Sequence, residues 1–323
     1  YQSYSNIEIL LIDDGSTDNS LEICNELKKK DSRILVYHTE NRGSGPARNT
    51  GIENANGRYI YFPDADDKLE KDSISILVSA MKKGSFDMVV FGYKSIDVKG
   101  NIYLEKQYPN MIKKGEEVRK DYSDYVLSTR KYGIQGAPWN KFFDLNIVKK
   151  YSIKYPELRR HQDEGFISSY VCHTKEIRFI NDVLYSHYLN DLKKEWDKYP
   201  VDYVDAVIGL YKIRQETILA WNNEDKKTRE IVEHEYICNI IKALELSYSP
   251  KMKFNRKERL KWIKKQIEKS QILKVVMPLS LGRYQKILFI LLKKQYIFVA
   301  MLIMYIKIAI EKNGFLEFFR KFQ

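Results

Sequence analysis

Cysteine is scarce. The chain of 323 residues has three, Cys24, Cys172 and Cys238, far apart and odd in number. That excludes a disulfide framework and a paired-cysteine metal site, and it suits reduced, buried thiols in a cytosolic compartment. No signal peptide is recognisable. The chain opens on Tyr1 instead of Met, so its natural start is expected to lie upstream. A long apolar run is missing too. The longest clean one, Tyr296 to Ile306, has 11 residues, against the roughly 20 of a spanning helix, which argues against a transmembrane segment. Basic excess is absent from most of the chain. The first 250 residues carry 37 Lys and Arg against 39 Asp and Glu, whereas residues 251–323 carry 18 against 4. The net charge of +12 therefore sits in the last quarter. The shift marks a boundary near Pro250 and argues against a nucleic-acid-binding catalytic body.

What is present describes a globular protein. Hydrophobic residues make up 44% and aromatic residues 13%, including 24 Tyr, enough for a real core and for two domains or one with a long appendage. Ile7 to Ile12 is an unbroken apolar run, as expected of a strand covered on both faces. The turn Asp13-Asp14-Gly15-Ser16-Thr17-Asp18 follows, with a helix cap at Thr17 or Asp18 and an apolar side of Leu21, Ile23, Cys24 and Leu27 beyond it. Ile34 to His38 is a second short strand. In Asn41-Arg42-Gly43-Ser44-Gly45-Pro46-Ala47-Arg48-Asn49, Pro46 is placed to begin a helix that ends near Asn56-Gly57. Strand, helix, strand, helix, strand at this spacing predicts a doubly wound, mostly parallel α/β sheet. Ligands in such sheets bind beyond the carboxyl ends of the strands.

The third strand, Tyr59 to Phe62, runs into Pro63-Asp64-Ala65-Asp66-Asp67. Three carboxylates within four positions repel one another and call for a divalent cation or a basic partner. D-x-D spacing can turn two oxygens towards one ion, and hard oxygen ligands favour Mg²⁺ or Mn²⁺ with substrate phosphate completing the shell. The plainer reading is that Asp66 or Asp67 caps the helix starting near Asp72. Two acidic clusters at the same rim favour a nucleotide-and-metal site over two unrelated caps.

Asp13-Asp14-Gly15-Ser16-Thr17-Asp18, then Gly43 with Ala47-Arg48-Asn49-Thr50-Gly51, then Asp64-Ala65-Asp66-Asp67 resemble glycosyltransferase family 2 in order and spacing. The resemblance is strong from Tyr1 to about Asn190. It implies the GT-A nucleotide-diphospho-sugar fold, a divalent cation (Mn²⁺ or Mg²⁺) and inverting sugar transfer. By the same resemblance Asp14 holds the nucleoside with Asp13 supporting it, Arg48 lies beside the nucleotide, and Asp64 lies near the ribose and donor sugar. Asp66 is the implied metal ligand, with Asp64 as the other candidate. The family's opening strand and Pro-x-Tyr/Phe-Asn turn have no counterpart here. For Arg48 the plainer role is a helix-surface cation.

Further on, an apolar-periodic helix is expected over Ile74 to Lys83 and a strand over Met88 to Tyr93, while Asn101 to Lys120 is polar and unassigned. Tyr122 to Leu127 could begin a helix. Gly136-Ala137-Pro138-Trp139-Asn140-Lys141-Phe142-Phe143 resembles the family's Trp-x-Lys segment. Trp139 is the candidate acceptor platform, core packing being the alternative. His161-Gln162-Asp163-Glu164-Gly165-Phe166 stands where the family has Glu-Asp before an apolar helix. Asp163 aligns with the family's catalytic base, Glu164 is the reserve, and Gln162 replaces the usual Glu. Inverting transfer needs one carboxylate within hydrogen-bond reach of the acceptor hydroxyl. The plainer role for Asp163 is to cap the helix through Cys172. Val183 to Leu189 reads as a strand in which His187 is a candidate metal or diphosphate ligand, a lone strand His being more often structural.

Beyond Pro200 the pattern turns helical. Val204, Val207, Ile208, Tyr211 and Ile213 form one apolar stripe, and Ile231, Tyr236, Ile237, Ile240 and Leu244 another. Phe254 to Ile272 is a basic helix, and Ile287 to Ile310 is strongly apolar. Such a pair suggests a monotopic anchor on an anionic inner leaflet; the alternative is packing on the catalytic domain or a second subunit. Expected domains are thus a GT-A catalytic domain over 1–195, a C-terminal α-helical extension over 196–250 and a basic, apolar tail over 251–323. The function implied is an inverting, metal-dependent glycosyltransferase. It would move a sugar from a nucleotide-diphosphate donor to a glycan or lipid-linked acceptor, in bacterial surface polysaccharide synthesis, on the cytoplasmic face of the cell membrane and without nucleic acid. The alternatives are a catalytically inactive membrane-bound partner and, less well supported, a nucleotidyltransferase.

Overall fold

The structure, a computed structural model, describes residues 2–123, 134, 136–189 and 202–312. The chain divides into two units, residues 1–191 with 216–223, and residues 192–215 with 224–323.

The first unit has the expected α/β class. Strand β1 (Ile9–Asp14), helix α1 (Ser20–Lys30), strand β2 (Ile34–Thr39), helix α2 (Ser44–Asn54) and strand β3 (Tyr59–Tyr61) follow the predicted order. Next come β4 (Lys68–Leu69), α3 (Ser73–Lys82) and β5 (Met88–Ile96). The segment without assignment from sequence holds β6 (Ile102–Lys106), β7 (Met111–Lys114) and α4 (Gly115–Lys120). After the 3-10 turn Pro138–Asn140 come β8 (Lys141–Asp144), α5 (Leu145–Lys150), α6 (Gln162–Cys172) and β9 (Glu176–Tyr188). The helix start expected at Tyr122 falls mostly outside the described residues.

The longest ladders are parallel, β1 with β2 and β5 with β9. Shorter antiparallel pairings place β3 against β8, β8 against β5, β4 and β7 against β9, and β6 against β5. Period-2 alternation sorts the side chains of this sheet onto two faces. On one, Val89, Phe91 and Phe142 pack with Ile74, Leu77, Val78 and Met81 of α3. On the other, Phe143 meets Phe166 and Tyr170 of α6 edge-on, with ring centroids 5.5 and 4.9 Å apart. Fully burying each such ring contributes about 1.5–3 kcal/mol. The β1–β2 pair is less covered than its apolar sequence implies. Ile9 to Ile12 are only half-buried, and Ile23 and Leu27 of α1 are 48% and 41% exposed.

The second unit is helical: α7 (Tyr203–Ala220, its last residues counted with the first unit), α8 (Lys226–Glu245), α9 (Arg256–Ser270), α10 (Arg283–Lys293) and α11 (Ile297–Lys312). Asn255 caps α9 by accepting from the Lys257 and Glu258 backbone N–H groups, while Glu258 reaches back to the Asn255 N–H. That capping box starts the helix despite its basic composition. One core runs through all five helices, from Val204 and Val207 through Tyr236, Ile237, Ile240, Ile263 and Ile267 to Leu288, Phe289, Ala300 and Met304. The charge shift near Pro250 is therefore not a packing boundary: the described residues on either side of it, 202–250 and 251–312, share one core.

Gly92 lies where the β5–β9 register shifts. A Cβ there would come within 2.7 Å of the Lys106 carbonyl and 3.0 Å of the Asp182 carbonyl. Both are backbone atoms, so neither can swing away. Gly92→Ala is expected to lower stability by about 1–3 kcal/mol, the range for overpacking, measured by urea unfolding. A midpoint unchanged from the parent would show that the three strands tolerate the methyl group.

Candidate functional site

The segments that follow β1 and β3 carry the acidic candidates, Asp13 and Asp14 at the end of β1 and Asp64 to Asp67 after β3. Phe62, just past β3, is buried and meets Phe143, Tyr155 and Phe166 at 5.4–6.0 Å between centroids. Tyr155 stacks on Phe166 at 4.3 Å with planes 3° apart. This aromatic cluster pins the chain leaving β3 against the first turn of α6. It brings Asp64 and Asp163, 99 positions apart in sequence, to opposite sides of Arg48.

Arg48 on α2 donates from Nη2 to Asp64 Oδ1 (2.9 Å) and from Nη1 to Asp163 Oδ1 (2.8 Å). Its side chain is 18% exposed, and its guanidinium lies 5.3 Å from the Tyr155 ring centroid. The two arms of the fork thus serve two carboxylates, a geometry that a lysine ammonium would not reproduce. Burial pushes both carboxyls above the usual range. Arg48 opposes that rise in each, while Asp67 and Asp66 add to it for Asp64 and Asp64 adds to it for Asp163. Asp163 does not cap its helix. The cap position belongs to His161, in the left-handed region at φ 64°.

The acidic loop after β3 is held by its last member. Asp67 accepts from the Tyr185 hydroxyl (2.6 Å) and the Tyr188 backbone N–H (2.8 Å), and the same Tyr185 oxygen accepts from the Asp64 N–H (3.0 Å). Neither Asp66 nor Asp67 caps the next helix, whose cap position is Asp72. Asp66 is exposed at the loop tip.

The first acidic pair is also engaged. Asp14 accepts from the backbone N–H groups of Arg42 (2.9 Å) and Gly43 (2.8 Å), tying β1 to the loop before α2. Asp13 is buried and lies 2.6 Å from His38 Nδ1. Gly15, at φ 66°, allows the two loops to meet, since a Cβ there would fall 2.6 Å from the Asn41 nitrogen. Gln162 bonds the Ser44 hydroxyl, bracing the same loop, and Glu164 is buried.

Trp139 lies face-on to Tyr185 (4.9 Å, 7°) and His187 (5.3 Å, 17°), with Tyr93 at its edge. It is half-buried and packs on the α3 face of the sheet. His187 lies 3.3 Å from the Ser95 hydroxyl. Lys141 is fully buried and donates to the Ala137 carbonyl (2.8 Å) and Asn140 Oδ1 (2.7 Å). Burial lowers its pKa to about 7, with Asp163 acting against the fall.

Three contributors escape a linear reading. Tyr185 is an ordinary strand residue in sequence. Tyr155 is buried beside Arg48, with a hydroxyl that has no hydrogen-bond partner among the described residues. Asn49 of the Ala-Arg-Asn motif exchanges two hydrogen bonds with the Tyr155 backbone, at 2.9 and 2.8 Å. The recurrence of Tyr185 and His187 at period 2 on one strand face is the signal that could have found the first. No group of three His, Cys, Asp or Glu placed to hold a metal occurs among the described residues.

These features define a GT-A-type glycosyltransferase fold. The sequence profile of glycosyl transferase family 2 matches residues 1–137, so the chain is similar to that family over its first 137 residues. GlyA of Streptococcus pneumoniae is 30% identical over 220 residues, covering 64% of this chain and 30% of GlyA. GlyG of the same organism is 32% identical over 190 residues, covering 57% of this chain and 62% of GlyG. A glycosyltransferase of Haemophilus influenzae is 35% identical over 191 residues, covering 58% and 66%. The chain thus spans under a third of GlyA and under two thirds of GlyG. Among solved structures, S. aureus TarS 1–349 superposes with TM-score 0.60 and 17% identity over 97% of this chain and 85% of that one. The same protein with UDP-GlcNAc gives TM-score 0.60 at 18% identity, with the same coverage.

Hydrogen bonds from Ser16 and His38 hold the Asp13 carboxyl below the usual range. A depressed carboxyl stabilises the fold above its unfolded value, near 3.8, and that contribution is lost as pH falls through its lower folded value. Asp13→Asn is therefore expected to cost stability at neutral pH and to shrink the difference from the parent below pH ~4. Thermal melts at a series of pH values test this, and a difference constant with pH would remove Asp13 from the acid response.

Proposed function

We propose that this chain is an inverting glycosyltransferase that moves a sugar from a nucleoside-diphosphate donor to a glycan or lipid-linked acceptor hydroxyl. The observation that carries this reading is the Arg48 fork, which joins Asp64 of the D-x-D loop to Asp163 at the start of α6. A donor-side carboxylate and a candidate base are thereby fixed to one guanidinium. TarS, which shares the fold, binds UDP-GlcNAc, and that supports a nucleotide-sugar donor here.

In this reading Asp163 takes the proton of the acceptor hydroxyl as its oxygen bonds to the anomeric carbon, while the bond to the nucleoside diphosphate breaks from the opposite face. Burial raises the affinity of Asp163 for that proton, while Arg48 opposes that rise and orients the carboxylate. Asp64 lies towards the ribose and donor sugar, and Asp13 and Asp14 shape the nucleoside end by bracing the loops between β1 and α2. Trp139 offers an aromatic edge to the acceptor. Glu164, buried in the helix, is the less suited base.

A divalent cation fits the donor set. Asp66 is exposed and oxygen-only, Asp64 adds a second carboxylate two positions away, and Mn²⁺ or Mg²⁺ is commonly held by one or two carboxylates with substrate phosphates completing the shell. Bound there, it would neutralise charge on the departing diphosphate. Similarity to glycosyl transferase family 2 and the basic tail support work on bacterial surface polysaccharide at the cytoplasmic face of the membrane. Among the described residues no helix is long and apolar enough to cross a membrane.

Calorimetric titration of UDP and GDP, with and without Mn²⁺, tests the donor site first. Metal-dependent binding of one nucleotide is expected, and it should vanish in Asp66→Ala; unchanged titration of that variant would falsify the ligand assignment. Failure of both nucleotides in the parent protein would favour the inactive-partner reading.

Asp163→Asn is expected to keep nucleotide affinity and lose transfer by ~10²-fold or more. Near-normal turnover in that variant would move the base to Glu164.

A further inference from the structure

From Ile297 to Ile306, helix α11 is apolar on every side. Ile297, Ala300, Met301 and Met304 lie in the core of the second unit, each 6% exposed or less. Its other side carries Phe298, Val299, Leu302, Tyr305 and Ile306, each 47–57% exposed. Positions i, i+1, i+4, i+7 and i+8 form one continuous stripe, so the exposure is a face and not scattered single residues. A helix with one face in a core ordinarily presents polar groups on the other.

The border of the stripe is cationic. The Arg256 guanidinium of α9 lies 5.3 Å from the Phe298 ring centroid. Arg259 lies 4.3 Å from the ring of Tyr248, which in turn lies 5.8 Å from that of Tyr305. No Asp or Glu occurs between Glu268 and Glu311, a stretch that contains seven Lys and Arg. An apolar and aromatic face edged by arginines is complementary to headgroups of negative charge above acyl chains. A second copy of this chain fits less well, because it would bring the same positive border against this one.

We propose that the exposed stripe of α11, bordered by Arg256 and Arg259, is a docking face for an anionic lipid bilayer, with the helix lying flat in the interface. This goes beyond the transferase reading and is tested without donor or acceptor, so either can fail alone. The full chain is sedimented with vesicles of phosphatidylcholine containing phosphatidylglycerol, and with vesicles of phosphatidylcholine alone. Sedimentation with the anionic vesicles only, reversed by salt, is the expected result. Leu302→Asn with Ile306→Asn should lower partitioning about tenfold or more, and Arg256→Gln about fivefold. Both substituted apolar side chains are half exposed, so the melting temperature should hold. Three results would overturn the proposal: no sedimentation with anionic vesicles, equal partitioning of the double variant, or a dimer in analytical ultracentrifugation that the double variant abolishes.

Discussion

A guanidinium held between two half-buried carboxylates sets the electrostatics of the candidate site. Arg48 cancels one of the two charges on Asp64 and Asp163, so the trio keeps a net negative charge, and Asp66 and Asp67 stand beside it. Each pair is partly open to solvent, with side chains 31–36% exposed on the acidic side. Screening therefore keeps their worth well under the ~3–5 kcal/mol lost when a fully buried pair is broken. The arrangement is better understood as orientation than as stability. A donor diphosphate would bring further negative charge to a rim that is already acidic. On the proposed reading, that excess is the physical reason for a cation at Asp66.

The fork can be kept only if its three residues are held still, and packing does that. Phe62, Phe143, Tyr155 and Phe166 come from four separate stretches of chain and meet ring to ring. Behind Arg48, Asn49 locks the Tyr155 backbone; in front, Tyr185 holds both ends of the acidic loop through one hydroxyl. The Tyr155 hydroxyl is the unfinished part of this shell. A buried hydroxyl without a partner costs about 1–3 kcal/mol, and it sits where the charges of Arg48, Asp163 and Asp64 all act on it. Lys141, fully buried with its amine on a carbonyl and an amide oxygen, braces the turn before β8 in the same way.

Much of this could be read from the sequence, for an identifiable reason. Strand ends in an α/β sheet fix where a carboxylate emerges, so Asp13, Asp14 and Asp64 could be placed at the ends of β1 and β3 from strand periodicity and turn residues alone. What the three motifs do individually was harder to see. Asp14 turns out to bind backbone N–H groups and Asn49 to bind the Tyr155 backbone, because a polar residue in a tight loop can serve the loop as readily as a ligand. The Arg48 bridge was illegible: nothing local says that a helix cation meets a carboxylate 115 positions later. The strands β6 and β7 were missed because they are short and largely exposed, and their pairing depends on β5 and β9, not on their own pattern.

The helical unit shows the converse difficulty. The charge shift near Pro250 is real, yet the core passes straight through it, since charge is distributed over the surface while packing is decided inside. The apolar stretch expected over Ile287 to Ile310 divides in the structure into α10 and α11, and the sequence does not say how many sides α11 must cover. A helix with one apolar stripe needs one neighbour; α11 has two stripes, and only one meets the core. Burying five half-exposed apolar side chains elsewhere would contribute several kcal/mol on an area basis. A surface left in that condition beside a row of cations is therefore informative in a way that composition is not. The same basic residues that suggested a separate tail in the sequence become, once the helices are packed, the border of a particular apolar face.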